Sequence, residues 1–238
     1  GFIVWSDLMK NKLKFRRYSL HTKIVLCATI VLTFGGALLF YFMEKNRLFS
    51  DMTPMEQILN SLFCSVTPRT AGFNSVDTGA MTDGSKLLTI VLMFIGGAPG
   101  STAGGIKVTT IAVLFVYLKS TLTRTQGANI FGRRLEDAAI QKASSVFFIN
   151  ISLAVTAGIA ICCAQNLNGV DALFETFSAI STVGMTAGLT SSLNTFSLVI
   201  VALLMYLGRV GSLSFAMSFT DKKKITHIMQ PVEKINIG

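Results

Sequence analysis

Ser65-Val66-Thr67-Pro68-Arg69-Thr70-Ala71-Gly72-Phe73-Asn74 is a polar loop with a proline and a glycine, set between apolar segments. A looser version returns further along, as Ala179-Ile180-Ser181-Thr182-Val183-Gly184-Met185-Thr186-Ala187-Gly188-Leu189-Thr190. Each copy follows a short apolar helix and precedes a long one. Inside a bilayer, irregular backbone survives only where protein buries it or where it lines a water-filled path. A pair of such loops therefore points to a pore, with backbone carbonyls as the ligands.

Composition places the rest of the chain in lipid. Apolar residues make up 51% and charged residues 14%, against roughly 25% charged in a soluble domain, and the mean hydropathy is +0.58. The net charge of +9 raises nucleic acid as a partner, but its distribution argues against it. Of the 21 basic residues, 15 fall in three blocks: Lys10, Lys12, Lys14, Arg16, Arg17 and Lys23; Lys119, Arg124, Arg133, Arg134 and Lys142; and Lys222, Lys223, Lys224 and Lys234. The blocks lie between or beyond apolar stretches, which is the positive-inside pattern, and no aromatic-interleaved basic surface accompanies them. Cys27, Cys64, Cys162 and Cys163 sit in apolar runs without metal-type spacing and read as structural filler. The opening Gly1-Phe2-Ile3-Val4-Trp5-Ser6-Asp7 runs straight into basic residues, so it reads as the end of an earlier membrane helix and not as a signal peptide.

Residues 24–43 are long enough to cross the ~30 Å hydrocarbon layer as a helix, starting from the first basic block. Thr53-Pro54 supplies an N-cap followed by proline at the first helical position. The helix from Met55 to about Val66 is too short to span, so the loop after it lies within the membrane. A second apolar stretch, residues 87–118, would be near 48 Å long if fully helical, at ~1.5 Å per residue. Its middle reads Gly96-Gly97-Ala98-Pro99-Gly100-Ser101-Thr102-Ala103-Gly104-Gly105-Ile106-Lys107, whose five glycines and proline break the helix. Residues 119–142 form a basic connection. Residues 146–164 cross again, residues 169–181 form a second half-helix, and residues 196–219 cross back to a basic tail. Aligning Leu62-Phe63 with Leu173-Phe174 sets Gly72 opposite Gly184 with a one-residue gap, in preference to Gly188.

These residues resemble the Trk/Ktr/HKT superfamily of potassium transporters, and within it the bacterial KtrB-type subunit. The resemblance rests on Thr67 to Asn74 as a filter loop, Gly96 to Lys107 as an intramembrane gating loop, and Thr182-Val183-Gly184-Met185 as a second filter loop. Gly208-Arg209-Val210-Gly211 and the ending Glu233-Lys234-Ile235-Asn236-Ile237-Gly238 extend it nearly end to end. It implies an all-α membrane protein with two parallel span/half-helix/filter-loop/span repeats, part of a four-repeat pore. On that plan residues 1–23 are the end of a preceding repeat and a cytoplasmic linker, and 24–118 a third-type pore repeat with a broken last helix. Residues 119–142 are then a cytoplasmic linker, 143–220 a fourth-type pore repeat, and 221–238 a cytoplasmic C-terminal tail. The N-terminal repeats would complete the ring. The resemblance further implies a bacterial inner membrane, a homodimer formed through the C-terminal region, and a cytosolic ring of nucleotide-binding regulatory subunits.

The expected filter consists of the carbonyls of Thr70, Ala71, Gly72 and Phe73 with those of Thr182, Val183, Gly184 and Met185. A dehydrated potassium ion needs several oxygen dipoles in place of water, and glycine lets the backbone aim them at one axis. Sodium is the alternative ion, and ordinary interhelical turns built from small residues are the structural alternative. Arg69 beside a cation filter calls for an acidic partner, with Glu56 and Asp77 as candidates. The loop from Gly96 through Gly97, Ala98, Pro99, Gly100, Ser101, Thr102, Ala103, Gly104 and Gly105 to Lys107 is the expected gate, against a plain helix kink. It is not a phosphate loop, because Ile106 intervenes between the last glycine and Lys107. Arg209, in mid-span, should face a cavity or a partner as a pore charge. Neither paired carboxylates nor a Ser/His/Asp set points to an enzyme. The rival to a channel-like pathway is an ion-coupled secondary transporter, such as a sodium-dependent potassium symporter.

Overall fold

A computed structural model describes residues 1–12, 14–101, 103–124 and 127–211. Thr102 of the expected gate, the end of the last span, the third basic block and the 221–238 tail lie outside the described residues.

Helix α1, Phe2–Asn11, is followed by a 3-10 turn at Phe15–Arg17. The Asp7 carboxylate then accepts from the backbone N–H and the hydroxyl of Ser19, both at 2.9 Å, and so pins α1 to the start of α2. Helix α2 runs Leu20–Glu44, with Ser19 capping it through Thr22 N–H. Its 25 residues reach about 37 Å at 1.5 Å each, enough to cross a bilayer. Helix α3, Pro54–Val66, opens on a reciprocal cap: the Thr53 hydroxyl accepts from Glu56 N–H, and Glu56 Oε2 accepts from Thr53 N–H at 2.8 Å. The proline sits where its missing N–H costs nothing.

The long apolar stretch is two helices, α4 at Asp83–Phe94 and α5 at Val108–Leu122. The buried Glu44 at the end of α2 ties down the start of α4, accepting from Thr82 N–H at 3.0 Å and from its hydroxyl at 2.7 Å. The expected linker at 119–142 takes in the last turn of α5 and the first turns of α6. It carries a two-stranded antiparallel hairpin, β1 at Asn129–Ile130 and β2 at Arg133–Arg134, and α6 already begins at Asp137. Two-residue strands show no period-2 pattern, which is why the hairpin leaves no trace in the sequence. Helix α6, Asp137–Gln165, ends on Asn166 in the left-handed region, φ 51°. The short α7, Gly169–Ile180, and α8, Thr195–Val210, follow.

The main core surrounds α7. Phe174 and Ile180 are buried there with Met93, Ile106 and Ile161 from α4, the broken segment and α6. The Phe94 ring meets Phe147 and Phe177 edge-on, with centroids 5.5 and 5.4 Å away. A smaller cluster of Phe40, Phe49, Cys64 and Leu92 joins α2, α3 and α4. Lys86 of α4 and Asp171 of α7 form a mostly buried ion pair at 2.8 Å that links the two halves. The outer surface is apolar: Val31, Phe34 and Phe42 on α2, Phe115 on α5, Phe148 and Ile159 on α6, and Leu203 on α8 are all exposed. Exposed apolar surface on this scale inverts the soluble pattern and matches a lipid-facing wall.

Candidate functional site

Both loops hang from one frame. The Thr67 hydroxyl, at the end of α3, donates to the Phe73 carbonyl, and the Ser178 hydroxyl, in the last turn of α7, donates to the Met185 carbonyl at 2.6 Å. Thr67 and Ser178 each lie four residues after the paired Phe63 and Phe174, and each closes its loop on the residue following the glycine. The frame thus sets Gly72 opposite Gly184, with one extra residue in the second loop. Neither hydroxyl stands out in the sequence, because its acceptor is a carbonyl across the loop.

Within each loop the backbone conformation repeats. Thr70 has φ 67° and Gly72 φ 74°, while Thr182 has φ 53° and Gly184 φ 85°. Ala71 and Val183 between them are absent from the left-handed region. Alternating handedness turns successive carbonyls toward one side of the strand instead of alternating them across it. A β-branched residue at positive φ is costly, so two threonines held there at the same register are features the surroundings enforce.

The two loops meet. A Cβ added to Gly72 would collide with the Val183 carbonyl oxygen. The irregular segments that follow the loops are joined, with the Thr78 hydroxyl donating to the Thr186 carbonyl. The second loop has a further anchor that sequence reasoning missed. Buried Glu175 accepts from the Thr186 hydroxyl, from Ala187 N–H at 3.2 Å and from the Thr190 hydroxyl at 2.9 Å. Arg69 has neither acidic partner expected of it. Its guanidinium donates to the Thr33 hydroxyl on α2, while Glu56 is used in the α3 cap and Asp77 accepts from Gly79 N–H at 2.9 Å. The charge is thereby drawn sideways toward α2.

The described residues between Gly96 and Lys107 fold back into a compact loop between α4 and α5. Ile95 and Ile106 form a parallel bridge; Gly96 N–H donates to Ile106 at 2.8 Å and Val108 N–H to Gly97 at 3.1 Å. Inside this neck, Ser101 Oγ donates to the Ala98 carbonyl at 2.6 Å, next to Pro99 and Gly100, and the Lys107 ammonium donates to the Ala103 carbonyl. This segment lies against the base of the second loop. A Cβ on Gly104 would overlap the Thr182 side chain, and one on Gly105 would lie 3.1 Å from Ser181 Oγ. Arg209 stands with Glu175, Thr182, Gly184 and Met185 around a cavity of about 600 Å³ beside that loop. Among the described residues no cluster of three or more His, Cys, Asp or Glu side chains is placed to hold a metal ion.

The comparisons with known proteins agree on one family. The model of the TrkH family, described as cation transport protein, matches residues 15–228. The potassium/sodium uptake protein NtpJ of Enterococcus hirae is 37% identical over 245 residues, covering 100% of this chain and 54% of that protein. The Ktr system potassium uptake protein B of Bacillus subtilis is 36% identical over 240 residues, again covering 100% of this chain and 54% of the relative. The chain spans about half the length of the curated relatives it matches. In fold it resembles the crystal structure of the potassium transporter TrkH from Vibrio parahaemolyticus, with a TM-score of 0.75, 18% identity, and coverage of 93% of this chain and 49% of that one. With a family match along most of its length and two full-length alignments above a third identity, the chain belongs to the TrkH family of cation transport proteins.

Proposed function

We propose that this chain provides half of a potassium pathway across the bacterial cell membrane. The carbonyls of Thr70 to Phe73 and Thr182 to Met185 replace the ion's hydration shell. The plug from Gly96 to Lys107 is the gate beneath them, and Arg209 is a fixed charge at its side. The observation that carries this reading is the repeated left-handed threonine and glycine at the same register of two touching loops. Strain of that kind needs a use, and aiming several carbonyls at one axis is such a use. Half-helices α3 and α7 point their carbonyl ends at the loops, so their dipoles favour a cation there.

Two loops make half a ring. Helix α3 supports the four-repeat arrangement, because Met55, Ile58 and Leu59 on its open face are 64%, 55% and 52% exposed, an apolar stripe that a preceding repeat would cover. Residues 24–118 and 143–220 are then the third and fourth repeats, joined by a cytoplasmic linker at 119–142, with residues 1–23 the end of a preceding repeat and its cytoplasmic linker, and the 221–238 tail also cytoplasmic. A homodimer and a cytosolic nucleotide-binding ring are the partners this assembly would take. The inside-negative potential supplies the driving force, ~2.3 kcal/mol per charge per 100 mV.

A sodium-coupled mode is the second reading, favoured by the name of one relative, a potassium/sodium uptake protein. The test is ion flux through the full-length subunit in proteoliposomes. Current that follows the potassium gradient without a second ion supports the pore. Saturating flux that stops when sodium is withdrawn replaces it with the coupled carrier.

A further inference from the structure

A groove of about 440 Å³ runs between α2 and α5, lined by Cys27, Ala28 and Val31 on one side, Ala112 and Phe115 on the other, and closed at one end by Phe131. Every lining side chain is hydrocarbon or thiol, so the groove offers an occupant no hydrogen bond. Its lid is fixed to α5: the Ser120 hydroxyl donates to the Gly127 carbonyl at 2.8 Å, and Leu135 N–H to Ala128 at 2.8 Å, which holds the β1–β2 hairpin and its tip residue Phe131 in place.

The lid brings two basic linkers together. Phe131 meets Phe15 edge-on at 6.3 Å, and the Lys23 ammonium lies 5.8 Å over the Phe15 ring while donating to the Arg16 carbonyl at 3.2 Å. Arg16 and Arg17 from the first linker and Arg133 from the hairpin are exposed at this junction, whereas Arg134 is engaged by Asp137 at 3.4 Å. A hydrocarbon slot with cations at its mouth is complementary to one kind of molecule, an acyl chain carrying an anionic headgroup. A comparison surface lies next to it. The groove between α5 and α6, about 320 Å³ and lined by Leu114, Leu118, Ser144 and Phe148, is also apolar but lacks the aromatic lid that joins the two basic linkers.

We infer that the α2–α5 groove is a site for an anionic phospholipid, with one acyl chain between the helices and the phosphate held by Arg16, Arg17, Lys23 and Arg133. A lipid seated there would bridge the linker before α2 and the hairpin after α5, both of which lead to the plug-bearing repeat. The inference rests on α2 and α5 facing lipid, and not on the pore reading.

The experiment uses the full-length subunit, delipidated in detergent and titrated with phosphatidylglycerol or phosphatidylcholine of identical chains, with retained lipid counted by native mass spectrometry and stability followed by thermal shift. Phosphatidylglycerol should bind at least about tenfold more tightly. The surface variant R16Q/R17Q/K23Q/R133Q should bring the two lipids to equal affinity. A112W should expel both, while S144W in the neighbouring groove should change neither. Equal retention of the two lipids by the unaltered protein overturns the inference, as does retention of phosphatidylglycerol by A112W. A disulfide cross-link from A28C to another protein segment would also overturn it, by showing that protein fills the groove. Lipid preference without ion flux would break the pore reading alone, and flux without lipid preference would break this one alone.

Discussion

Helices α3 and α7 follow one plan yet sit in opposite surroundings. Helix α7 is sheathed by α4, α6 and α8, and from Phe174 to Ile180 every residue is buried. Helix α3 leans mainly on α2 and leaves an apolar stripe open. Their loops differ in the same sense. The second is gripped from behind by the Glu175 carboxylate, whereas the position paired with it on α3 is Cys64, which holds no such network. The first loop is instead stitched to α2, through Ser65, whose hydroxyl reaches the Leu32 and Thr33 carbonyls at 3.1 and 2.8 Å, and through Arg69. One loop takes its shape from the interior of this chain, and the other from its attachment to a single neighbouring helix. Substitutions at paired positions should therefore have unequal effects.

The largest inequality is expected at the two glycines. Gly72→Ala places a methyl group against the Val183 carbonyl, so it displaces an oxygen of the other loop as well as straining its own. Gly184→Ala meets no atom within 4 Å and incurs only the left-handed penalty, about 1–2 kcal/mol. If a displaced carbonyl costs the selected ion about 1.4 kcal/mol, discrimination falls about tenfold. Potassium-over-sodium flux ratios should show that loss in Gly72→Ala and a smaller one in Gly184→Ala. Equal losses would mean the loops do not share an axis.

The next effect concerns the pin between the halves. Lys86→Met strands the Asp171 carboxylate, and breaking a buried pair in this way costs about 3 kcal/mol. The double variant Lys86→Met/Asp171→Leu removes both charges and should return to within about 1 kcal/mol of the original stability. Thermal unfolding of the purified subunit checks both. A double variant as unstable as the single would assign the loss to packing instead of charge.

The elements read from residue pattern are those whose signals are local. Thr53-Pro54 marks the α3 start because cap chemistry needs only neighbouring residues, and the glycine-rich break in the long apolar stretch is visible because glycine and proline act where they stand. The partners that organise the site were hidden for the opposite reason. Glu175 reads as one acid on an apolar helix until the chain turns back and lays Thr186 to Thr190 across it, and Glu44 reads as the end of a span until Thr82 arrives beneath it. Arg69 invited an acidic partner because charge pairing is the familiar rule, but the group that came within reach was a hydroxyl far upstream. Glu175→Gln follows from this reading. The amide keeps one acceptor oxygen and is uncharged, so the bonds from Thr186, Ala187 and Thr190 lose the carboxylate's charge and at least one must rearrange, at about 1–3 kcal/mol. Cys64→Ser, at the paired position of α3, should change the first loop much less. Amide exchange at Ala187 should accelerate in the Glu175 variant alone.

The smallest effect should come from the stitch between the first loop and α2. Thr33→Val removes the hydroxyl that accepts from Arg69 and nothing else of comparable size. The backbone carbonyl of Thr33, which Ser65 uses, is untouched, so α3 stays docked on α2. The loss is then one hydrogen bond, and because the guanidinium is only half-buried and stays solvated on its open side, it should cost no more than about 1 kcal/mol. On the proposed pore reading its consequence is electrostatic: a cation no longer drawn toward α2 is freer to approach the proposed filter carbonyls and oppose an entering potassium ion. Flux should fall in Thr33→Val with stability nearly unchanged, and Arg69→Gln in the same background should restore it. If flux stays low once the charge is gone, Arg69 acts by holding the loop's shape, and the first loop is then as dependent on a single side chain as the second is on Glu175.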